Sequence, residues 1–275
     1  MTNMVDTNMF LYSPPKTGST ALYRILQQHP QLCASRIKEP NFFARFYEEM
    51  TIDEYNDFFQ CSDTQNPKIK YEGSSTYFSH NLALDRILKC CRSNTKFITI
   101  LRNPIDRMIS QYIHFRTQYE LQHNQQLQDK FLSSISTKWR DGWLFQSQFF
   151  QGVPNCIDKI LQEKRRHHLI YWSLYPEHII NMQNKIDSQN MMFIIYEDYK
   201  NMNQQYCKQM FKFLNIEDIS SNISYYKDNR SDFWKTYFDS RQEITYEHID
   251  ELSSYFRPYI EHTEELLKIS TGWLD

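Results

Sequence analysis

Residues 9–30 read MFLYSPPKTGSTALYRILQQHP. The apolar run Met9–Tyr12 has the composition of a strand buried on both faces. Pro14-Pro15-Lys16-Thr17-Gly18-Ser19-Thr20 follows as a tight loop, and Ser19–Gln28 repeats its apolar residues at helical spacing. A helix start carries unpaired N–H groups and the positive end of a dipole, and here a lysine and three hydroxyls stand beside it. That combination suits a phosphate-like anion. The plainer alternative is a strand-to-helix turn with a hydroxyl cap. The nucleotide triphosphate loop GxxxxGK[ST] is not present, because Lys16 precedes Gly18 by two residues.

With 275 residues, 40% hydrophobic and 16% aromatic, the chain suits one folded domain over residues 1–275 rather than a disordered segment. A net charge of −2 argues against nucleic acid as a partner and leaves anion binding to local clusters. Cys33, Cys61, Cys90, Cys91, Cys156 and Cys207 lack zinc-ligand spacing, and no metal is expected. No run of 18 apolar residues suggests a membrane span. Reduced thiols and a soluble, cytoplasmic protein are the expectation, unless the sequence is trimmed from a secretory-pathway protein.

Phe97–Leu101 and Met192–Tyr196 read as further buried strands, and Lys68–Tyr71 as a weaker one. Helical patterns run over Leu82–Cys91, Pro104–Tyr119, Gln204–Leu214 and Ile244–Leu267, the last broken near Pro258. Alternating strands and helices predict an α/β fold with a central, mainly parallel sheet flanked by helices. A ligand would bind at the carboxyl ends of its strands. Residues 116–150, polar and rich in glutamine, read as an insertion around the mouth of the site.

After the Phe97–Leu101 strand comes Arg102-Asn103-Pro104-Ile105-Asp106-Arg107, with Ser110 eight residues after Arg102. Proline favours the first helical position, which leaves Arg102 at the sheet edge, and a guanidinium can grip a phosphate with two parallel bonds. Together, PKTGST with Leu22, Leu26 and His29-Pro30, and RNP with Ser110, resemble the two donor-binding segments of the sulfotransferases. Those enzymes have a P-loop-like fold and use 3′-phosphoadenosine 5′-phosphosulfate (PAPS) without a metal. The resemblance implies that Lys16, Thr17, Gly18, Ser19, Thr20 and Ala21 hold the 5′-phosphosulfate, and that Arg102 and Ser110 hold the 3′-phosphate.

Lys38-Glu39-Pro40-Asn41-Phe42-Phe43 resembles the segment that carries the catalytic glutamate in heparan sulfate and related glycan sulfotransferases. Glu39 would take the proton of an acceptor hydroxyl. Asn41 stands where one variant of the family has histidine, and would orient Glu39 or a substrate hydroxyl. Glu72-Gly73-Ser74-Ser75-Thr76-Tyr77-Phe78 resembles a further segment, with Gly73 replacing a family lysine and Glu72 expected to orient Lys16 or bind acceptor. Ser173-Leu174-Tyr175 with His178 is a looser match. In the basic stretch 225–242, either Arg230 or Arg241 would meet the 3′-phosphate, and Phe233 or Trp234 would stack on adenine.

The implied activity is sulfuryl transfer from PAPS to a hydroxyl, on a carbohydrate by analogy. The competing expectations are an ATP-dependent phosphoryl transferase and a nucleotide-binding module without transfer. Lys164-Arg165-Arg166-His167-His168 reads as solvated helix surface or as a patch for an acidic glycan.

Overall fold

A computed structural model describes residues 4–61, 67–126, 129, 157–201, 203–225 and 244–274. The described elements run β1 (Met9–Leu11), α1 (Ser19–Leu26), β2 (Leu32–Ala34), α2 (Ile52–Asn56), β3 (Ile69–Glu72), α3 (Ala83–Cys90), β4 (Lys96–Leu101) and α4 (Pro104–His123). After residues 130–156 come α5 (Ile157–Glu163), α6 (His168–Tyr171), α7 (Tyr175–Gln183), β5 (Met191–Ile195), α8 (Tyr196–Asn201), α9 (Asn203–Leu214) and α10 (Tyr246–Leu267). The five strands are parallel and stand in the order β2-β3-β1-β4-β5, so the expected α/β fold is present. From β1 the chain leaves toward β2 on one side, while β4 and β5 lie on the other. The crevice between β1 and β4 is therefore where ligands bind in sheets of this kind.

Buried apolar residues line both faces of the sheet. Phe10, Tyr12, Phe97 and Leu101 look toward one core, and Met9, Leu11, Ile98 and Ile100 toward the other. This is why the strands read as unbroken apolar runs rather than as alternations. β2 was not foreseen: three residues, LCA, carry too little pattern, and its strand is specified by pairing with Ile69–Tyr71.

Two expectations fail in the framework. α10 runs through Pro258 without a break. The carbonyl that loses its partner belongs to Ser254, which is exposed like Pro258 and can be solvated, while Leu252, Phe256 and Ile260 pin the buried stripe. Cys33 and Cys61, expected as thiols, form a disulfide, because the fold brings their Cα atoms to 5.7 Å. Cys90, Cys91 and Cys207 are free and buried. α4 continues into the stretch expected as an insertion, ending at His123; residues 130–150 lie outside the described residues. Among the described residues, no helix is long and apolar enough to cross a membrane.

Candidate active site

The loops that carry PKTGST, KEPNFF, the Glu72 segment and RNP follow β1, β2, β3 and β4 and leave the carboxyl edge of this one sheet. Between β1 and α1, Lys16 and Gly18 adopt left-handed backbone, with φ of 69° and 85°. Gly18 occupies the helix cap and so offers no capping side chain to the first turn, which carries no acidic residue. A Cβ on Gly18 would stand 2.8 Å from the Tyr196 ring, so the loop closes only with glycine. Two residues expected to hold the donor are already engaged. The Thr17 hydroxyl, fully buried, donates to the Pro14 carbonyl at 2.9 Å, and the Ala21 N–H donates to the Gly18 carbonyl at 3.0 Å. Thr17 shapes the loop, and the first-turn groups of Ser19 and Thr20 remain the better donors to an anion.

Arg102 crosses the crevice and donates from Nη1 to the Lys16 carbonyl at 3.2 Å. Its guanidinium lies over the Tyr196 ring at 5.1 Å, and its Nε is buried without a hydrogen-bond partner among the described residues. A phosphate oxygen would satisfy that orphan donor, so the pocket fits an anionic group. Asn103 caps α4, accepting from the Ile105 and Asp106 N–H groups, with Pro104 in the first turn. Ser110 is half-buried on the same helix, six residues past Pro104.

Several supporting roles escaped sequence reading. Arg107, completely buried, donates to the Ser173 hydroxyl at 2.6 Å, to the Leu169 carbonyl, and to the Pro15 carbonyl at 3.5 Å. Burial pulls its pKa down to about 10, leaving it charged at neutral pH. Ser173 in turn donates to the Pro104 carbonyl at 3.0 Å, and Tyr175 to the Arg102 carbonyl at 2.7 Å. The Ser-Leu-Tyr match thus buttresses the arginine loop. Glu197 accepts from the Asn103 N–H at 3.1 Å and from the Trp273 indole at 2.9 Å. The signal for these residues was their adjacency to recognised motifs; their contacts are all long-range.

On the other side, Glu39 follows β2 with φ of 65°, and Asn41 with φ of 57°. Phe42 and Phe43 are buried in an aromatic cluster, Phe42 stacked on Tyr55 at 4.6 Å, which anchors the loop. The Glu39 carboxylate receives bonds from Lys38 Nζ at 2.5 Å and Ser75 Oγ at 3.1 Å. Lys38 Nζ also lies 3.4 Å from the Gly73 carbonyl. Asn41 holds backbone rather than the carboxylate: its amide donates to the Glu39 carbonyl at 2.8 Å and accepts from Thr76 at 2.6 Å.

Glu72, expected at Lys16 or an acceptor, is completely buried and bonded to Ser74, Tyr55 and Tyr77. That burial removes it from any acceptor. His178 is buried against Phe78 and driven down to about 4 by desolvation, and His29 bonds the Glu217 carbonyl at 2.8 Å; both are structural. In the basic run, Lys164 pairs with Glu251 and Arg165 with Glu177, which leaves less charge for an acidic ligand. Arg230, Arg241, Phe233 and Trp234 lie outside the described residues.

The sulfotransferase domain family matches residues 6–257 of this chain. The chain belongs to that family. Among curated relatives, the human bifunctional heparan sulfate N-deacetylase/N-sulfotransferases 1 and 3 are 34% identical over 113 residues and 36% identical over 109 residues. Those alignments take in 39% and 38% of this chain but only 13% and 12% of the relatives. A sulfotransferase from Alicyclobacillus acidocaldarius superposes over 99% of this chain and 100% of its own, with a TM-score of 0.68 and 19% identity. That likeness establishes the shared sulfotransferase fold.

Proposed function

We propose that this sulfotransferase-family protein moves the sulfuryl group of PAPS to a carbohydrate hydroxyl. The observation that carries the proposal is the pair of loops at the β1–β4 crevice, where Arg102 bonds the Lys16 carbonyl and keeps one donor unsatisfied. Lys16 and the N–H groups of Ser19 and Thr20 stabilise charge that develops on the sulfuryl oxygens and the leaving phosphate. Arg102 and Ser110 bind the 3′-phosphate and set the donor's register. Glu39 removes the proton as the acceptor oxygen bonds to sulfur and the bond from sulfur to the 5′-phosphate oxygen breaks, releasing adenosine 3′,5′-bisphosphate. A carbohydrate acceptor is supported by the KEPNFF segment and by relatives whose names specify heparan sulfate.

Lys16→Ala and Glu39→Gln are each expected to lower transfer from radiolabelled PAPS by about a hundredfold or more. Glu39→Gln should still bind adenosine 3′,5′-bisphosphate in a thermal-shift assay. Full activity in Glu39→Gln would remove the base assignment. Stabilisation by ATP with magnesium in place of the bisphosphate would favour a phosphoryl transferase. Bisphosphate binding without turnover over an oligosaccharide panel would leave a nucleotide-binding module.

A further inference from the structure

We infer that the buried Glu72 carboxylate is the positioning residue of the base side, aiming Glu39 by fixing the direction of the hydrogen bonds that hold residues 39–43. This rests on Glu39 as the base. Three hydroxyls converge on Glu72: Ser74 Oγ at 2.6 Å, Tyr77 Oη at 2.8 Å and Tyr55 Oη at 3.0 Å. A hydroxyl has one proton, and an ionised carboxylate can only accept. With its proton committed to Glu72, each hydroxyl oxygen must accept from its other neighbour. Ser74 takes the Asn41 N–H at 3.0 Å, Tyr77 takes the Phe43 N–H at 3.2 Å, and Tyr55 takes the Thr7 hydroxyl at 3.0 Å.

Two of those donors are backbone groups of the loop that carries Glu39. The loop needs such holding, because Glu39 and Asn41 are non-glycine residues at positive φ. Such a residue is strained and persists only where the surroundings impose its conformation. Continuation of the same segment supplies the rest: Ser75 bonds the Glu39 carboxylate and Thr76 bonds Asn41. Glu72 thus lies at the end of β3 beneath both partners of the base. An amide at this position has the right shape but would donate to one of the hydroxyls and reverse its chain.

The test uses Glu72→Gln and Ser74→Ala, each alone and combined with Glu39→Gln. Hydrogen–deuterium exchange on the unliganded protein is read first, at about pH 8 where the Glu72 carboxyl is ionised, and needs no acceptor. The Asn41 amide is expected to exchange about tenfold faster in both variants, and Phe43 in Glu72→Gln, while β4 amides keep their protection. Unchanged protection at Asn41 and Phe43 overturns the inference. If Glu72→Gln loses protection in β4 as well, Ser74→Ala decides through Phe43: with Tyr77 still on Glu72, Phe43 should keep its protection while Asn41 loses it, and loss at both overturns the inference.

Transfer from PAPS to a heparosan hexasaccharide is read second. The single variants are expected to lose about tenfold in kcat with KM for PAPS unchanged, and to cost nothing further once Glu39 is Gln. Losses that multiply in the double variants overturn the inference. Full transfer by Glu39→Gln alone refutes the base assignment instead, and the exchange result then stands as a statement about the loop only.

Discussion

The two halves of the site are built on opposite electrostatic plans. On the donor side, Arg102 and Arg107 are held by the neutral carbonyls of Lys16, Pro15 and Leu169 and by the Ser173 hydroxyl. Among the described residues, no carboxylate bonds Arg107, so its charge orders the loop without being cancelled there, and Arg102 meets the distant Asp106 carboxylate at 3.7 Å. On the base side, a buried carboxylate is held by hydroxyls, and the next carboxylate, Glu39, is paired with Lys38. Cations supported by dipoles keep their attraction for an incoming anion, whereas a carboxylate supported by hydroxyls keeps a loop in place. One side is charged for binding, and the other is ordered for aim.

Replacing Arg107 with Met should give the largest effect on stability. It takes the donor away from the buried Ser173 oxygen and from two carbonyls, and a loss of about 3 kcal/mol or more in urea unfolding is expected. A loss below 1 kcal/mol would mean, roughly, that the donor side does not depend on that buried cation. Arg102→Ala should weaken adenosine 3′,5′-bisphosphate binding by about a hundredfold in calorimetry, with little change in melting temperature. Equal loss in both would make Arg102 a structural residue like Arg107.

The pH dependence of stability sharpens the contrast. Burial raises the Glu72 pKa from 4.5 to about 7, against the pull of its hydroxyl partners. Between those values the folded state binds more protons than the unfolded one, so this group's contribution falls as pH rises. Tyr55, Tyr77, Tyr23, Cys91 and Glu39 interact with it, and the tyrosine and cysteine pKa values are pushed upward by burial, out of this window. The stability of wild type relative to Glu72→Gln should therefore drop by about 3 kcal/mol between pH 4.5 and 7.5, seen in urea melts at several pH values. A flat difference would mean that burial does not raise the Glu72 pKa, and a fall that continues undiminished above pH 7.5 would remove the ionised carboxylate from the base side. The smallest effect is expected for Arg165→Ala, whose ion pair with Glu177 is exposed: within about 0.5 kcal/mol, with transfer unchanged.

Legibility in the sequence followed the range of the interactions. The strands at β1, β4 and β5 and the cap of α4 depend on neighbouring residues, and their composition announced them. The short β2, the Cys33–Cys61 bridge and the unbroken α10 depend on distant partners, and sequence reading missed all three. Within the candidate site, Lys16, Gly18, Arg102 and Glu39 stood in local motifs that pattern alone could mark. Arg107 and Ser173 also lay in quoted segments, but their supporting roles, like those of Tyr196 and Glu197, were not marked, because each acts on a loop dozens of residues away.

By itself the sequence determined the alternation of strands and helices, and with it a parallel sheet whose loops carry the recognised motifs at one edge. Its local chemistry also placed a lysine and a glycine at a helix start, an arginine after a strand, and a glutamate before two phenylalanines. Only the tertiary structure decided how those groups are supported. Glu72 was expected to orient Lys16 or bind acceptor, yet the packing of Tyr55 and Tyr77 shuts it inside. The reason is physical: a side chain's type is local, whereas its burial and hydrogen-bond partners come from elements far apart in the chain.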